Sequence, residues 1–212
     1  NICDKASPPA FKQYKPATYN EEQFLELWGY VQKKYDRVPI ALGAGVGLRR
    51  GEIFGLRWGD IDFKNNKITV EKTRVRYNKT IEKTPKNETS ARTIHVPQYV
   101  MDTLISYKKE QKIININNYI LNITPAYYSQ RFSYLLDKFK MPHIRLHDLR
   151  HFNATIMMNN GVPDKVAAER LGHKDTTMLH KIYQHVQVGM DVKASETLNN
   201  IFVIKGQKNK AN

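Results

Sequence analysis

The sequence contains one cysteine and no long hydrophobic segment, and both shortages restrict what the protein can be. Cys3 has no partner within the chain, which excludes an internal disulfide and favours a reducing, cytoplasmic environment. No apolar run approaches the roughly 20 residues that a helix needs to span a bilayer. We therefore expect a cytoplasmic protein that does not bind a membrane.

Acidic residues are few relative to basic ones. The 212 residues include 34 Lys and Arg against 20 Asp and Glu, which gives a formal net charge of +14 and an isoelectric point near 9.7. Such an excess is typical of proteins that bind a polyanion, most often nucleic acid. Hydrophobic residues make up 41% of the chain, enough for one packed core, so a disordered basic tail is excluded.

The hydrophobic pattern predicts a mainly α-helical protein with one small antiparallel β-sheet, an α+β fold. Capping side chains mark helix starts at Asn20 and Thr124, and a third helix is predicted from His147 to Gly161. Pro39 is predicted to open a further helix, because proline fits the first helical turn. Period-2 patterns predict strands at 67–70, 73–76 and 92–96, with a polar loop at 84–90.

The chain is predicted to hold one folded domain with an extension at each end. Residues 1–18 are rich in proline and are interpreted as the remnant of an interdomain linker, and residues 19–190 as the folded domain. Residues 191–212 form a tail whose basic end we expect to be disordered. An apolar cluster precedes that end, with Leu198, Ile201, Phe202 and Val203.

Arginine and histidine recur at helical spacing in the second half of the chain. His147 and Arg150 are three residues apart on one predicted helix, so they project from the same face, which His151 can share. Arginine presents a planar set of donors that fits two phosphate oxygens, and histidine transfers protons near neutral pH. Taken alone, this segment could also be a solvated basic helix start.

Three further positions carry related chemistry. Arg49 lies at a predicted helix start three residues before Glu52, whose carboxylate can fix the guanidinium; a purely structural ion pair is the alternative. His173 follows the helix-ending Gly172, where the backbone turn aims a side chain away from the helix axis. Tyr183, one of 12 tyrosines, lies one predicted helix after His173 and is a candidate covalent nucleophile.

The joint order of these motifs resembles the catalytic domain of the tyrosine recombinases, the phage-type integrases. The segment 47–53 (Gly-Leu-Arg-Arg-Gly-Glu-Ile) is similar to the family's first box, and residues 147–151 and 171–173 (His-Asp-Leu-Arg-His and Leu-Gly-His) are similar to its second. The resemblance covers about residues 18 to 190 and implies the fold of that domain. Such proteins usually carry an N-terminal helical DNA-binding domain, and we expect this chain to start at the linker after it.

The resemblance implies a role for each motif residue. Arg49 and Arg150 match the pair that binds the scissile phosphate. His147 matches the histidine that handles protons near the nucleophile, and His173 the histidine that hydrogen-bonds the phosphate. Tyr183 matches the nucleophile itself.

The supporting positions are assigned in the same way. From the residues alone, several lysines of the strand region could reach a groove: Lys72, Lys79, Lys83 and Lys86. Lys86 best resembles the hairpin lysine that protonates the leaving 5′ oxygen, although Lys83 remains possible. Glu52 resembles the supporting acid, and His151 is interpreted as a supporting residue. Asn153 departs from the family's pattern, and we expect little effect from it.

The implied activity is site-specific DNA recombination. Strands would be cleaved and rejoined through a 3′-phosphotyrosine intermediate, which integrates or excises a mobile genetic element such as a phage. The implied partners are double-stranded DNA and further copies of the chain, assembled on it as a tetramer. No metal or small-molecule cofactor is expected, and the implied location is the cytoplasm of a bacterium or of a phage-infected host cell.

Three other functions remain as alternatives. A type IB topoisomerase shares the same catalytic set, but the compact Gly-Leu-Arg-x-Gly-Glu box and the short hairpin favour the recombinase. A non-catalytic DNA-binding module would explain the charge but not the complete motif set. A metal hydrolase built on His147, His151 and His173 is disfavoured, because Asp148 stands where a glutamate is usual and no carboxylate cluster suits Mg²⁺.

Overall fold

A computed structural model of the chain describes residues 17–71, 73–76, 80–83, 91–111, 118–173 and 176–177. Over these ranges the protein is mostly helical with a small amount of antiparallel sheet, which confirms the fold class predicted from the sequence. One large apolar core joins the helices to the sheet. Its largest fully buried side chains include Tyr128, Phe54, Phe132 and Leu27.

The described part of the chain contains seven α-helices: α1 Glu21–Tyr30, α2 Lys34–Ala41, α3 Arg50–Gly55, α4 Gln98–Glu110, α5 Pro125–Lys138, α6 Asp148–Asn159 and α7 Asp164–Leu171. Both predicted caps are confirmed, because the Asn20 and Thr124 side chains accept hydrogen bonds from backbone N–H groups at 2.8 and 3.2 Å. Gly161 follows α6 with a φ of 76°, as expected for a helix-ending glycine. None of these helices combines the length and hydropathy that crossing a bilayer requires.

The prediction that Pro39 opens a helix is wrong, because α2 begins at Lys34 and contains the proline in its interior. An interior proline costs about 3 kcal/mol, since its ring removes a backbone donor. Val38 and Ile40 on either side are fully buried, and burial of each contributes about 1.5–3 kcal/mol, which offsets that cost. The helix then widens into a π-helical turn, Leu42–Val46.

The strands divide between two small antiparallel sheets. Strands β1 Ile61–Asp62, β2 Lys67–Val70 and β5 Arg92–His95 pair in the order β1-β2-β5, and β3 Thr73–Arg76 pairs with β4 Thr80–Lys83. Ile68 and Ile94 face each other across β2 and β5, and their burial sets the register of this pair. Strand β4 was not predicted; it ends in Glu82 and Lys83, and both residue types are depleted in strands.

Helix α6 packs against the π-helical turn on one side and against α7 on the other. Gly43 permits the first contact, since a Cβ at that position would lie 3.2 Å from the Cβ of Leu149. On the other side, Ala154 and Met158 of α6 pack with Leu171 of α7. This packing brings the start of α6 next to the segment after the π-helical turn and to the end of α7.

Candidate active site

Arg49 is held from two directions at the start of α3. Its Nη1 donates to the Glu52 carboxylate at 2.8 Å, and its Nη2 donates to the Gly172 carbonyl at 2.7 Å. The chain reaches Arg49 through Gly47, whose φ of 77° favours glycine. A Cβ on Gly47 would also lie 2.5 Å from Cδ2 of Leu171, so a larger residue would force the Leu171 side chain to move.

Arg150 lies beside Arg49 and is almost fully buried, with 3% of its surface exposed. Its Nη1 donates to the Gly47 carbonyl and its Nη2 to the Leu171 carbonyl, both at 2.7 Å. The Leu171 carbonyl, which accepts from Arg150, is next in sequence to the Gly172 carbonyl, which accepts from Arg49. The structure thus brings together two guanidinium groups that lie about 100 residues apart in sequence.

The surroundings of Arg150 change the pKa of its guanidinium group. Burial, followed by the charge of Arg49, lowers the pKa of Arg150, while the Glu52 carboxylate acts in the opposite direction. A guanidinium still remains protonated at neutral pH. The pocket therefore holds two close positive charges, and a phosphate group would relieve their mutual repulsion.

Glu52 has a second basic partner, Arg92, which the sequence did not reveal. Nη1 and Nη2 of Arg92 donate to the two carboxylate oxygens of Glu52 at 3.2 and 3.0 Å, and its Nε donates to the Arg170 carbonyl at 2.9 Å. The Glu52 carboxylate also accepts the backbone N–H of Arg49 at 2.8 Å. Arg92 begins β5, and its partner is 40 residues away in sequence, so no helical spacing rule could have connected them.

Glu52 is 3% exposed, and its charge depends on these partners. Burial alone would raise the pKa of its carboxyl group, but the hydrogen bonds and charges of Arg92 and Arg49 hold the pKa below its usual value. The carboxylate is therefore ionised at neutral pH and fixes both arginines. Arg92 connects this pair to α7 and so acts as a positioning residue for Arg49.

We expect the Glu52→Gln variant to lose about 3 kcal/mol of the free energy of unfolding, because removing one member of a buried ion pair leaves its partners uncompensated. Urea denaturation of the variant and the wild type measures this loss. Glu26→Gln is the matched control, since Glu26 is exposed and its replacement should change stability by less than about 0.5 kcal/mol. Equal effects of the two substitutions would contradict a structural role for the Glu52 charge.

His173 directly follows Gly172, which adopts a φ of 67°, and its backbone N–H donates to the Ala168 carbonyl at 2.9 Å. Its Nδ1 is buried and has no hydrogen-bond partner among the described residues. Burial, followed by the charges of Arg150 and Arg49, lowers the pKa of His173 to about 4. The imidazole is therefore neutral at neutral pH and can donate one N–H to a phosphate oxygen.

His147 and His151 lie together at the start of α6. Their ring centroids are 5.2 Å apart, and the rings meet edge to face. Burial, followed by His151 and Arg150, lowers the pKa of His147 to about 4, and burial also lowers the pKa of His151. Both rings are therefore neutral at neutral pH, and a phosphate nearby would raise their pKa values again.

Asn153 forms a buried contact between two elements, whereas the sequence led us to expect little effect from this residue. Its side chain is 7% exposed, and its Nδ2 donates to the Ala44 carbonyl in the π-helical turn at 2.7 Å. A Cβ on Gly47 would lie 2.7 Å from Oδ1 of Asn153. Asn153 thus connects α6 to the π-helical turn. Gly47, whose carbonyl accepts from Arg150, follows that turn directly.

Lys86 and Tyr183 lie outside the described residues, so their positions and roles stay predictions. Lys83 ends β4, which leads into the segment that contains Lys86. The structure brings together the other predicted residues, Arg49, Glu52, His147, Arg150, His151 and His173, around the end of α7 and the start of α6.

The described residues offer no metal site, since no three His, Cys, Asp or Glu side chains within these ranges could jointly hold an ion. His147, His151 and His173 therefore lack the additional ligands that a metal hydrolase would need in this part of the chain. The polar groups gathered around His173 are instead arginine and histidine nitrogens.

A pair of fixed guanidinium groups with a neutral histidine, set on a small mainly helical domain, is an arrangement whose donors and charge suit a phosphoryl group. The chain belongs to the phage integrase family, whose model matches residues 18–190. This match confirms the family resemblance drawn from the motifs.

Individual relatives share the same region. The chain is 28% identical over 214 residues to a tyrosine recombinase XerC-like protein of Caldanaerobacter subterraneus, covering 88% of this chain and 54% of the relative. It is 25% identical over 217 residues to the ICEBs1 integrase of Bacillus subtilis, covering 95% and 59%. The chain thus spans little more than half the length of these curated relatives.

A solved structure shows the same fold. The Tn1549 transposon integrase, in complex with a circular intermediate DNA, superposes with a TM-score of 0.73 at 22% identity. The match covers 90% of this chain and 69% of that one. It confirms the predicted tyrosine recombinase catalytic-domain fold.

Proposed function

We propose that the chain is the catalytic part of a site-specific DNA recombinase that integrates or excises a mobile genetic element. The observation that carries the proposal is the convergence of Arg49 and Arg150 on the adjacent carbonyls of Leu171 and Gly172. Two fixed guanidinium groups suit the five-coordinate phosphorus of a strand-transfer transition state, where an extra negative charge develops.

The proposed reaction is a transesterification at a DNA phosphodiester. The phenolic oxygen of Tyr183 attacks phosphorus, the bond from phosphorus to the 5′ oxygen breaks, and a 3′-phosphotyrosine ester remains on the enzyme. Lys86 supplies the proton that the leaving 5′ oxygen takes up. The 5′ hydroxyl of a second strand then attacks the ester, which releases Tyr183 and joins the new strand.

The described residues supply the electrostatic part of this mechanism. Arg49 and Arg150 balance the charge on the non-bridging oxygens, and His173 donates a hydrogen bond to one of them. His147 is neutral in the free protein and can take up the proton that leaves the Tyr183 hydroxyl. Because the ester bond to the protein preserves the energy of the broken phosphodiester, the reaction needs no nucleotide cofactor.

The names of the relatives support a DNA substrate. The ICEBs1 relative is an integrase, and the Tn1549 integrase was solved in complex with DNA. The net charge of +14 fits the same partner. Since such a substrate lies in the cytoplasm of a bacterial cell, we propose that the protein acts there.

The assembly on DNA and the boundaries of the domain are also proposals. We propose a tetramer on two duplexes, with residues 19–190 as the catalytic domain, residues 1–18 as the end of a linker and residues 191–212 as a tail that docks on a neighbouring copy. An apolar groove of about 680 Å³ between α1, α6 and α7 offers a surface for such a tail. The exposed side chains of Leu25 and Val166 line this groove.

Covalent trapping tests the proposed function without knowledge of the target site. The protein is incubated with a pool of nicked duplexes whose sequence around the nick is randomised, so that cleavage releases a short strand and traps the ester. We expect a protein–DNA adduct that survives denaturing electrophoresis and forms equally well with EDTA. Adduct without strand joining in a two-site assay, together with relaxation of supercoiled DNA, would indicate a topoisomerase instead. Absence of any adduct would leave a DNA-binding module.

A further inference from the structure

A polar cleft of about 630 Å³ opens beside His147, outside the cluster of Arg49, Arg150 and His173. It lies between α5 and the segment that leads into α6, and Arg50 at the start of α3 lies at its edge. Its polar lining consists of Arg50, Ser129, Ser133, His143, Arg145 and His147. His147 lines this cleft, and its ring also meets that of His151 in the candidate active site, so the cleft adjoins that site.

Arg50 is exposed at this cleft and is held only lightly. Its Nη1 donates to Oγ of Ser129 at 3.3 Å, and within the described ranges no carboxylate pairs with it. Ser129 Oγ in turn donates to the Pro125 carbonyl at 2.9 Å. The positive charge of Arg50 is therefore available to an anion that enters the cleft.

Arg145 faces the same cleft in a fixed orientation. Its Nη2 and Nε donate to the carboxylate of Asp148 at 2.9 and 3.2 Å, and its backbone N–H donates to the same group at 2.8 Å. Asp148 is fully buried, whereas 53% of the Arg145 side chain is exposed. The ion pair thus fixes the guanidinium before any ligand arrives, so that binding costs little side-chain entropy.

The remaining lining favours an anion. No acidic residue of the described ranges lines the cleft; Asp137 lies nearby and pairs with the exposed His143 at 2.6 Å. Ser133 lies one helical turn after Ser129 on α5, and its hydroxyl can donate a hydrogen bond to an anion, whereas the Ser129 hydroxyl already donates to the Pro125 carbonyl. Among the described residues, the cleft therefore combines the unpaired Arg50, the oriented guanidinium of Arg145 and one available hydroxyl donor, that of Ser133.

We propose that this cleft binds a second phosphate of the DNA backbone, next to the one held by Arg49 and Arg150. Arg50 neutralises its charge, and Arg145 fixes its orientation. The inference rests on the proposed function, because a cleft that adjoins the candidate active site at His147 would receive a neighbouring phosphate of the same strand. The cleft would set the register of the duplex, so that the scissile phosphate meets the two catalytic arginines.

The salt dependence of DNA binding tests the proposal. Each phosphate that a protein neutralises contributes about 0.9 to the slope of log affinity against log salt concentration. We expect Arg50→Gln to lower this slope by about 0.9 relative to wild type, measured by fluorescence anisotropy on a non-cleaved duplex of arbitrary sequence between about 50 and 200 mM salt. Arg145→Gln, whose charge Asp148 already balances, should weaken binding with a smaller change of slope.

Lys109→Gln is the matched control, because it removes one charge from the exposed surface of α4 and does not line the cleft. Its slope should equal that of the wild type. If Arg50→Gln leaves the slope unchanged, or if Lys109→Gln lowers it as much, the cleft binds no phosphate. Thermal melting of each variant confirms that it is folded, and Arg50→Gln removes no buried contact.

This outcome is separate from that of covalent trapping. If Arg50→Gln lowers the slope but the wild type forms no adduct, the proposal that the cleft binds phosphate stands and the proposed recombinase activity is rejected. If the wild type forms an adduct but Arg50→Gln leaves the slope unchanged, the proposed recombinase activity stands and the phosphate-binding role of the cleft is rejected. An acidic peptide that displaces the duplex from wild type and Arg50→Gln equally would also argue against the cleft as the binding site.

Discussion

The Tyr183→Phe variant should form no covalent adduct with a nicked duplex, while its affinity for DNA stays within about twofold of the wild type. The substitution removes only the phenolic oxygen, which is the atom that would bond to phosphorus. DNA binding depends on phosphate contacts from lysine and arginine and therefore persists. Denaturing electrophoresis detects the adduct, and fluorescence anisotropy measures the affinity.

The buried tyrosines are poor nucleophiles for a physical reason. Burial raises the pKa of Tyr19 and of Tyr35 to about 12, and burial also raises the pKa of Tyr128 well above its usual value. The Tyr128 and Tyr19 hydroxyls donate to the carbonyls of Asp36 and Pro142 at 2.6 and 2.5 Å. A reactive tyrosine needs the opposite environment, with cations close to its oxygen, and the described structure provides such cations around Arg49 and Arg150.

Tyr134→Phe is the appropriate control, because Tyr134 is 60% exposed on α5 and the same single oxygen is removed. This variant should form the adduct as the wild type does. Persistence of the covalent band in Tyr183→Phe would show that another residue attacks the phosphate. The assignment of the nucleophile would then be wrong, even if the remaining pocket were correct.

Local features of the sequence predicted the starts of α1 and α5 and those contacts of the candidate site that lie within one helical turn. The caps at Asn20 and Thr124 are confirmed because a capping side chain bonds to a backbone donor only three residues away. The contact of Arg49 with Glu52 and the common position of His147 and Arg150 follow from helical spacing in the same way. Interactions within one helical turn depend little on the rest of the molecule.

Contacts between distant segments could not be predicted. Arg92 reaches Glu52 from a strand, and Asn153 reaches Ala44 from another helix, so neither follows from a periodic pattern. The placement of Pro39 within α2 depends on the burial of its neighbours, which overrides the local preference of proline. Carbonyl acceptors such as those of Gly47 and Leu171 are invisible in sequence, because every residue carries one.

The largest effect expected among the described residues is that of Arg150→Lys. Lysine keeps the positive charge, but its single nitrogen cannot donate to the Gly47 and Leu171 carbonyls and also hold a phosphate oxygen in the same geometry. We expect the rate of adduct formation at saturating DNA to fall by about 10²–10³, as for the loss of one donor to a developing oxyanion. DNA affinity should change far less, because one charge among many is retained.

Arg131→Lys is the control that separates a loss of catalytic rate from a loss of stability. Arg131 also forms an ion pair with a buried carboxylate, that of Asp36, donating through Nη2 at 2.7 Å, but it lies outside the site. The control should lose stability and keep its rate of adduct formation. Single-turnover kinetics on the nicked duplex measure the chemical step of both variants at a temperature where each remains folded. If Arg150→Lys cleaves as fast as the control, the guanidinium serves packing alone, because a group that stabilises the transition state must change the rate of that step.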